Sequence, residues 1–189
     1  MSIDGRRRVR AFSLIELILF ILIVSIALAA VLMAINTGVM HSSDPMVRKQ
    51  AMAAAESLLE EIELQPFTYC DPNDALATTA ANAAGCGSAS NSMDAPANWG
   101  AGKTRYGPTF FDNVADYNNF AMTGTLNDIF QQSSTRLGGY SAAVAIAQVG
   151  TGFGLPNGDV LRVTVTVTGG GDTITLTGFR FRHSPNVTN

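Results

Sequence analysis

The sequence predicts an α+β fold: a long N-terminal helix, half membrane-spanning and half amphipathic, packed on an antiparallel β-sheet head. Three observations predict it. Residues 17–35 (LILFILIVSIALAAVLMAI) run for nineteen positions without a charge and with one hydroxyl, Ser25. That is close to the roughly 20 residues that carry a helix across bilayer hydrocarbon. Residues 46–64 repeat apolar side chains at helical spacing, and residues 140–182 hold three segments of strand character.

The chain begins with Arg6, Arg7, Arg8 and Arg10 ahead of the apolar run, and no basic residue follows until Arg48. By the positive-inside rule this places the N-terminus in the cytoplasm and sends the C-terminal bulk across the membrane. A cleavable secretory signal fits poorly, because its apolar core would be about 7–15 residues long. Apolar residues make up 47% of the 189 and charged residues 14%, against about 25% charged in an ordinary soluble domain. The formal charge is −3, and it grows more negative without the basic leader. An acidic chain repels phosphate backbones, which argues against nucleic acid as a partner.

In the second half of the helix, Val47, Ala51, Ala54, Ala55, Leu58 and Ile62 follow i, i+3, i+4 spacing, while Lys49, Glu56, Glu60 and Glu63 fall largely elsewhere. This apolar stripe needs a sheet to lie on. Gly38, Ser42, Ser43 and Pro45 predict a kink or break between the two halves, and Pro66 marks the end.

Residues 68–105 shift to alanine, serine, asparagine and glycine, punctuated by Pro72 and Pro96. They read as a long surface region outside the core. Cys70 and Cys86 lie within it, as one disulfide or as two free thiols. Neither belongs to a CxxC pair, and His41 and His183 are the only histidines, so metal and Cys-His chemistry have little support.

Farther on, Leu161, Val163, Val165 and Val167 alternate with Arg162, Thr164, Thr166 and Thr168, the pattern of a half-buried strand. The turn Gly169-Gly170-Gly171-Asp172 leads into a second strand over 173–182 and makes a hairpin. Phe179 and Phe181 fall out of phase with Ile174 and Leu176, which suggests a bulge at Gly178. Residues 140–149 form a third strand. Arg180 and Arg182 would share one strand face near Arg162, and Gly150, Gly152 and Gly154 read as a β–β connection. Asp112, Asn113, Asp116, Asn118 and Asn119 gather oxygens that a Ca²⁺ could use, with Asp112 and Asp116 as the lead pair. They lack EF-hand spacing, and a turn-rich surface with Phe110, Phe111, Tyr117 and Phe120 tucked inward is the preferred reading.

The N-terminal run Arg10-Ala11-Phe12-Ser13-Leu14-Ile15-Glu16 puts a carboxylate inside an apolar segment. Such a charge costs about 2.5–3.5 kcal/mol at a bilayer centre and usually has a partner there. The run resembles the class III signal of type IV prepilins and pseudopilins: a basic leader, a small residue, an aromatic, a hydroxyl residue, two aliphatics and a glutamate. The resemblance implies cleavage by a prepilin peptidase between Ala11 and Phe12, where the family usually carries glycine before the cut, and N-methylation of Phe12. It implies that Glu16 pairs with the Phe12 amine of a neighbouring subunit during assembly. The segments 54–67 (AAESLLEEIELQPF) and Phe111-Asp112-Asn113-Val114-Ala115-Asp116-Tyr117-Asn118 also resemble the minor pilins of mannose-sensitive haemagglutinin pili.

The expected organisation is a leader over 1–11, an assembly helix over 12–40, an amphipathic helix over 41–67, the surface region over 68–105 and a β-rich head over 106–189. The expected function is that of a structural pilus subunit with a role in adhesion or pilus biogenesis, without catalytic residues or cofactor. Its partners would be other pilin subunits, the peptidase and the bacterial inner membrane, with the head periplasmic before assembly into the filament. The alternatives are a pseudopilin of type II secretion and, from another class, a tip module that binds a glycan, a surface or DNA.

Overall fold

The computed structural model describes residues 13–40 and 44–187. The chain divides into two compact units, Met1–Pro45 and Met46–Asn189. The first carries helix α1, Leu14–Met40. Its stretch Leu14–Thr37 spans 24 residues, with a mean hydropathy of 3.2 over its most apolar eighteen, long and apolar enough to cross a membrane. No face of α1 is polar: its large apolar side chains from Leu14 to Ile35 are exposed, with only Val24 partly covered. The two hydroxyls are absorbed internally, Ser25 donating to the Ile21 carbonyl at 2.7 Å and Thr37 to that of Met33 at 2.9 Å. Back-bonding of this kind keeps a hydroxyl satisfied where no water is at hand.

Helix α2, Asp44–Glu63, begins the other pattern. Residues 41–43 between the helices, where His41 and part of the expected break fall, lie outside the described residues. In α2 the expected stripe is the buried one: Ala51, Ala55 and Ile62 are fully covered, Leu58 nearly so, and Val47 and Ala54 flank them. The small Ala51 and Ala55 side chains let the helix approach its sheet closely.

That sheet has four antiparallel strands in the order β1-β4-β5-β6, with β1 at Ala121–Met122, β4 at Tyr140–Gln148, β5 at Val160–Gly169 and β6 at Asp172–Phe181. Two further strands, β2 (Thr125–Asn127) and β3 (Ser133–Gly138), pair separately. The three strands expected from sequence are thus β4, β5 and β6, within one or two residues of their expected ends. Tyr140, Ala142, Val144 and Ile146 join Leu161, Val163, Val165 and Val167 under α2 in one core. Burying a valine or leucine of this kind contributes roughly 1.5–3 kcal/mol.

The β5–β6 hairpin turns on Gly170 and Gly171, both at positive φ (61° and 91°), the backbone that a two-residue turn between twisted strands requires. The bulge expected at Gly178 is not there: the register runs unbroken from Val160↔Phe181 to Gly169↔Asp172. The apolar phase changes because the covering element changes. Ile174 and Leu176 lie beneath the body of α2, whereas Gly178 and Arg180 lie beneath its C-terminal end. A Cβ at Gly178 would come within 1.9 Å of Glu63 Oε1, and Arg180 donates to the Gln65 carbonyl at 2.9 Å. Phe179 and Phe181 consequently face the opposite side, where both meet the Phe153 ring edge-on at 5.5 and 5.3 Å between centroids.

The region 68–105 departs from its expected surface character. Met93 and Trp99 enter the main core, and Cys70, Ala77 and Ala80 form a second small cluster. Short polar side chains order this stretch: Asn82 and Ser88 each accept a backbone N–H at the start of a 3-10 turn.

Candidate functional site

Ala11 and Phe12, the residues at the expected cleavage and methylation position, lie outside the described residues. Glu16 is in the first turn of α1 and exposed. The Ser13 carbonyl accepts from the N–H groups of Glu16 (3.0 Å) and Leu17 (3.2 Å), which starts the helix at that point. A carboxylate so close to a helix N-terminus is favoured by the dipole of the unpaired N–H groups. Among the described residues Glu16 has no ion-pair partner. It is the only charged side chain between Leu14 and Thr37.

Three cations of the head, Lys103, Arg105 and Arg182, sit in nearly buried ion sites. In the first, the Lys103 ammonium, with its side chain 6% exposed, contacts Asp112 and lies 2.7 Å from Asp71 Oδ2 and 3.2 Å from Asp116 Oδ2. Asp116 also accepts the backbone N–H groups of Gly100, Asp112 and Asn113, and Asn113 in turn caps the 3-10 turn Val114–Tyr117. Burial raises the Asp116 pKa, with Lys103 offsetting only part of the effect. Burial also works against the Lys103 ammonium, but the hydrogen bonds it donates to Asp112 and Asp71, with the charges of Asp116 and Asp112, outweigh it and raise its pKa. The oxygen pair considered for Ca²⁺ therefore holds a side-chain cation. Among the described residues no group of three or more histidine, cysteine, aspartate or glutamate side chains is placed to hold a metal ion.

In the second site Arg105 forks onto Glu61, with Nε at 2.7 Å from Oε1 and Nη2 at 2.5 Å from Oε2, while Nη1 donates to the Asn127 carbonyl at 2.8 Å. The Tyr117 hydroxyl donates to the same Glu61 at 2.8 Å, and burial together with that carboxylate's charge pushes the tyrosine pKa upward. A cleft of about 490 Å³ adjoins this site, lined by Leu58, Met122 and Leu126 among others. Every guanidinium nitrogen of Arg105 is already bonded within the chain, so the cleft gains no free cation from it.

In the third site Arg182 bridges Asp94 (2.7 Å) and Asp159 (3.3 Å) and stands over the rings of Phe67 and Tyr69 at 4.5 and 5.0 Å. Of the expected arginine face, Arg180 and Arg182 both reach the segment that follows α2, at Gln65 and at Phe67 and Tyr69, and Arg162 does not join them. Arg180 turns toward α2, Arg162 is exposed on the opposite side across from Phe179, and Arg182 lies past the end of β6. Of the four aromatics expected to tuck inward, Tyr117 is buried and Phe111 and Phe120 pack on the core, but Phe110 is 58% exposed.

Cys70 and Cys86 form a disulfide with Cα atoms 5.6 Å apart. Beside it Asp74 accepts from the Gly87 N–H (2.9 Å), the Asn91 side chain (2.7 Å) and the Leu76 N–H (2.8 Å). These bonds hold its pKa down at about 2.

Sequence reasoning missed Lys103, Asp71, Glu61 and Asp94. The one signal was Lys103 and Arg105, two cations in an otherwise uncharged stretch.

Fold and sites together define a class: an apolar helix long enough to cross a membrane, and an α+β head in which three nearly buried cations are held by carboxylates of the same chain. No family model, curated protein or solved structure matches this chain.

Proposed function

We propose that this chain is a structural subunit of the type IV pilin kind, held in the membrane by α1 as a precursor and assembled into a filament through that helix. The observation that carries the reading is Glu16, a lone exposed carboxylate in the first turn of a 24-residue apolar helix. A helix with apolar side chains on every face is suited to lipid and, equally, to a bundle of identical helices. A carboxylate at its head needs a cation, and a free α-amine, which titrates near pH 8, is one at neutral pH. Cleavage between Ala11 and Phe12 would create that amine four residues before Glu16. Pairing Glu16 of one subunit with the amine of the next would tie departure from lipid to a fixed stagger between helices. The head's closed ion sites suit a building block.

The test is peptide mass spectrometry of the protein recovered from membranes, with a prepilin peptidase present and absent. A peptidase-dependent start at methylated Phe12 is expected. An intact leader in both samples would overturn the proposal. Glu16→Gln is expected to leave processing intact and to abolish incorporation into sheared filaments.

A further inference from the structure

Strand β6 is the last in its sheet, and among the described residues no strand pairs with its outer side. Its ten residues run about 34 Å at 3.4 Å per residue. The two-residue turn at Gly170 and Gly171 makes Gly169 and Asp172 a hydrogen-bonded pair. By alternation the even-numbered residues from Asp172 to Arg180 direct their N–H and C=O groups at β5. Those of Thr173, Thr175, Thr177, Phe179 and Phe181 point away from the sheet.

Natural sheets close such an edge with proline, lysine, a bulge or a short strand. β6 has none of these. Its side-chain cover is also incomplete: Val163, Val165 and Val167 on β5 are fully buried, whereas Ile174 and Leu176 on β6 are only half covered. Helix α2 therefore shields β5 and leaves the flank of β6 open.

We propose that a second copy of this chain adds its own β6 antiparallel to this edge, joining two four-stranded sheets into one of eight. This inference concerns only residues of the head and does not rest on the pilin reading. The pairing is isologous, so each contact occurs twice. Outward-directed residues must face outward-directed residues, and centring the two strands on Leu176 satisfies this. It sets Thr175 opposite Thr177 of the partner subunit and Asp172 opposite Arg180 of the partner subunit. Asp172 and Arg180 are the only charged side chains of the strand, and this register pairs them at both ends. Neither Asp172 nor Arg180 has an ion pair among the described residues, and the one hydrogen bond of the Arg180 guanidinium among them goes to an uncharged group, the Gln65 carbonyl. A shift of two residues sets Asp172 opposite Gly178, or opposite Arg182, whose guanidinium Asp94 and Asp159 already hold. Pairing also brings a second α2 alongside the first and covers the exposed parts of Ile174 and Leu176. Backbone bonds supply the affinity and the two charge pairs set the register.

The experiment uses the full chain in detergent micelles. In Leu176→Cys the two thiols face each other in a non-hydrogen-bonded pair, with Cα atoms about 4.5 Å apart, within the roughly 4.4–6.8 Å that a disulfide spans. Mild oxidation is expected to give a covalent dimer on a non-reducing gel. A mixture of Thr175→Cys and Thr177→Cys chains is expected to cross-link at least tenfold faster than either alone, which holds the test open should Leu176→Cys fail to fold. Thr177→Pro removes one outward N–H without touching the β5 ladder, and is expected to slow the Leu176→Cys cross-link at least tenfold in a chain that still unfolds cooperatively. A folded Leu176→Cys chain that stays monomeric overturns the proposal. So does cross-linking that survives Thr177→Pro, which would report association through α1, or Thr175→Cys linking to itself as fast as to Thr177→Cys.

Discussion

Helices α1 and α2 differ by only seven residues in length, yet they meet opposite demands. Every face of α1 is apolar and exposed, while α2 confines its apolar residues to one stripe and buries Ala51, Ala55, Leu58 and Ile62 against the sheet. Their charges differ in the same sense. The one carboxylate of α1 is exposed and open to an external partner; the head's Lys103, Arg105 and Arg182 are closed in by carboxylates of their own chain. The contrast teaches that a helix is stabilised mostly by what its side chains face, more than by intrinsic propensity. One unit leaves its apolar side chains uncovered among the described residues, and the other covers most of its own.

The sharpest way to break this contrast is to open one of the closed ion sites. Lys103→Met leaves Asp116, 1% exposed, without its cation. Removing one partner of a buried pair costs about 3–5 kcal/mol. Thermal unfolding of the full chain in detergent is expected to show that loss, whereas Glu16→Gln leaves the melting temperature of the head unchanged. Next in size is the apolar pair. Ile62→Ala in α2 is expected to cost about 2–5 kcal/mol of head stability, and Ile23→Ala in α1 to cost the head nothing; equal shifts in the two melts would refute the division. Third, Cys70→Ser with Cys86→Ser opens a loop of sequence separation 16 and is expected to remove about 3 kcal/mol, with limited proteolysis mapping the new cleavage sites to 68–105.

The smallest effect is one of pH. Asp74 ionises at about 2 in the folded head, below the usual aspartate value of roughly 3.9, so its contribution is complete above about pH 4 and fades as pH falls toward 2. The gap in melting temperature between the native chain and Asp74→Asn is expected to close over that window. A gap that stays constant from pH 5 to 2 would show that the hydrogen bonds to Asp74 do not depend on its charge.

Both helices and the β5–β6 hairpin were legible because their signals are periodic and local. The alternation at Leu161, Val163, Val165 and Val167 marks a strand wherever it lies, and Gly170 with Gly171 marks the turn. The phase at Phe179 misled because a change of face in the covering helix imitates a bulge. The ion sites were not legible. Lys103 lies 9 and 13 positions from Asp112 and Asp116, and Arg182 lies 88 from Asp94, so turns rather than spacing unite them. The order within 68–105 was also hidden, since it comes from Asp74, Asn82 and Ser88 satisfying backbone groups, chemistry that in composition resembles a solvated loop.

Strand β6 is made long after α2, and the stripe on α2 rests partly on it. The Tyr140 hydroxyl donates to Gln50 Oε1 across 90 positions, and Arg180 reaches the Gln65 carbonyl across 115. At the usual 5–20 residues per second of synthesis, α2 exists for roughly 5–20 s before the strands it rests on have been made. Contacts this distant make for slow folding. The head thus matures only after its C-terminal residues have emerged, and until then an apolar helix face is available to chaperones or to self-association. Removing residues 180–187 would therefore be felt in α2, which loses the contact at Gln65, and in the solubility of newly made chains.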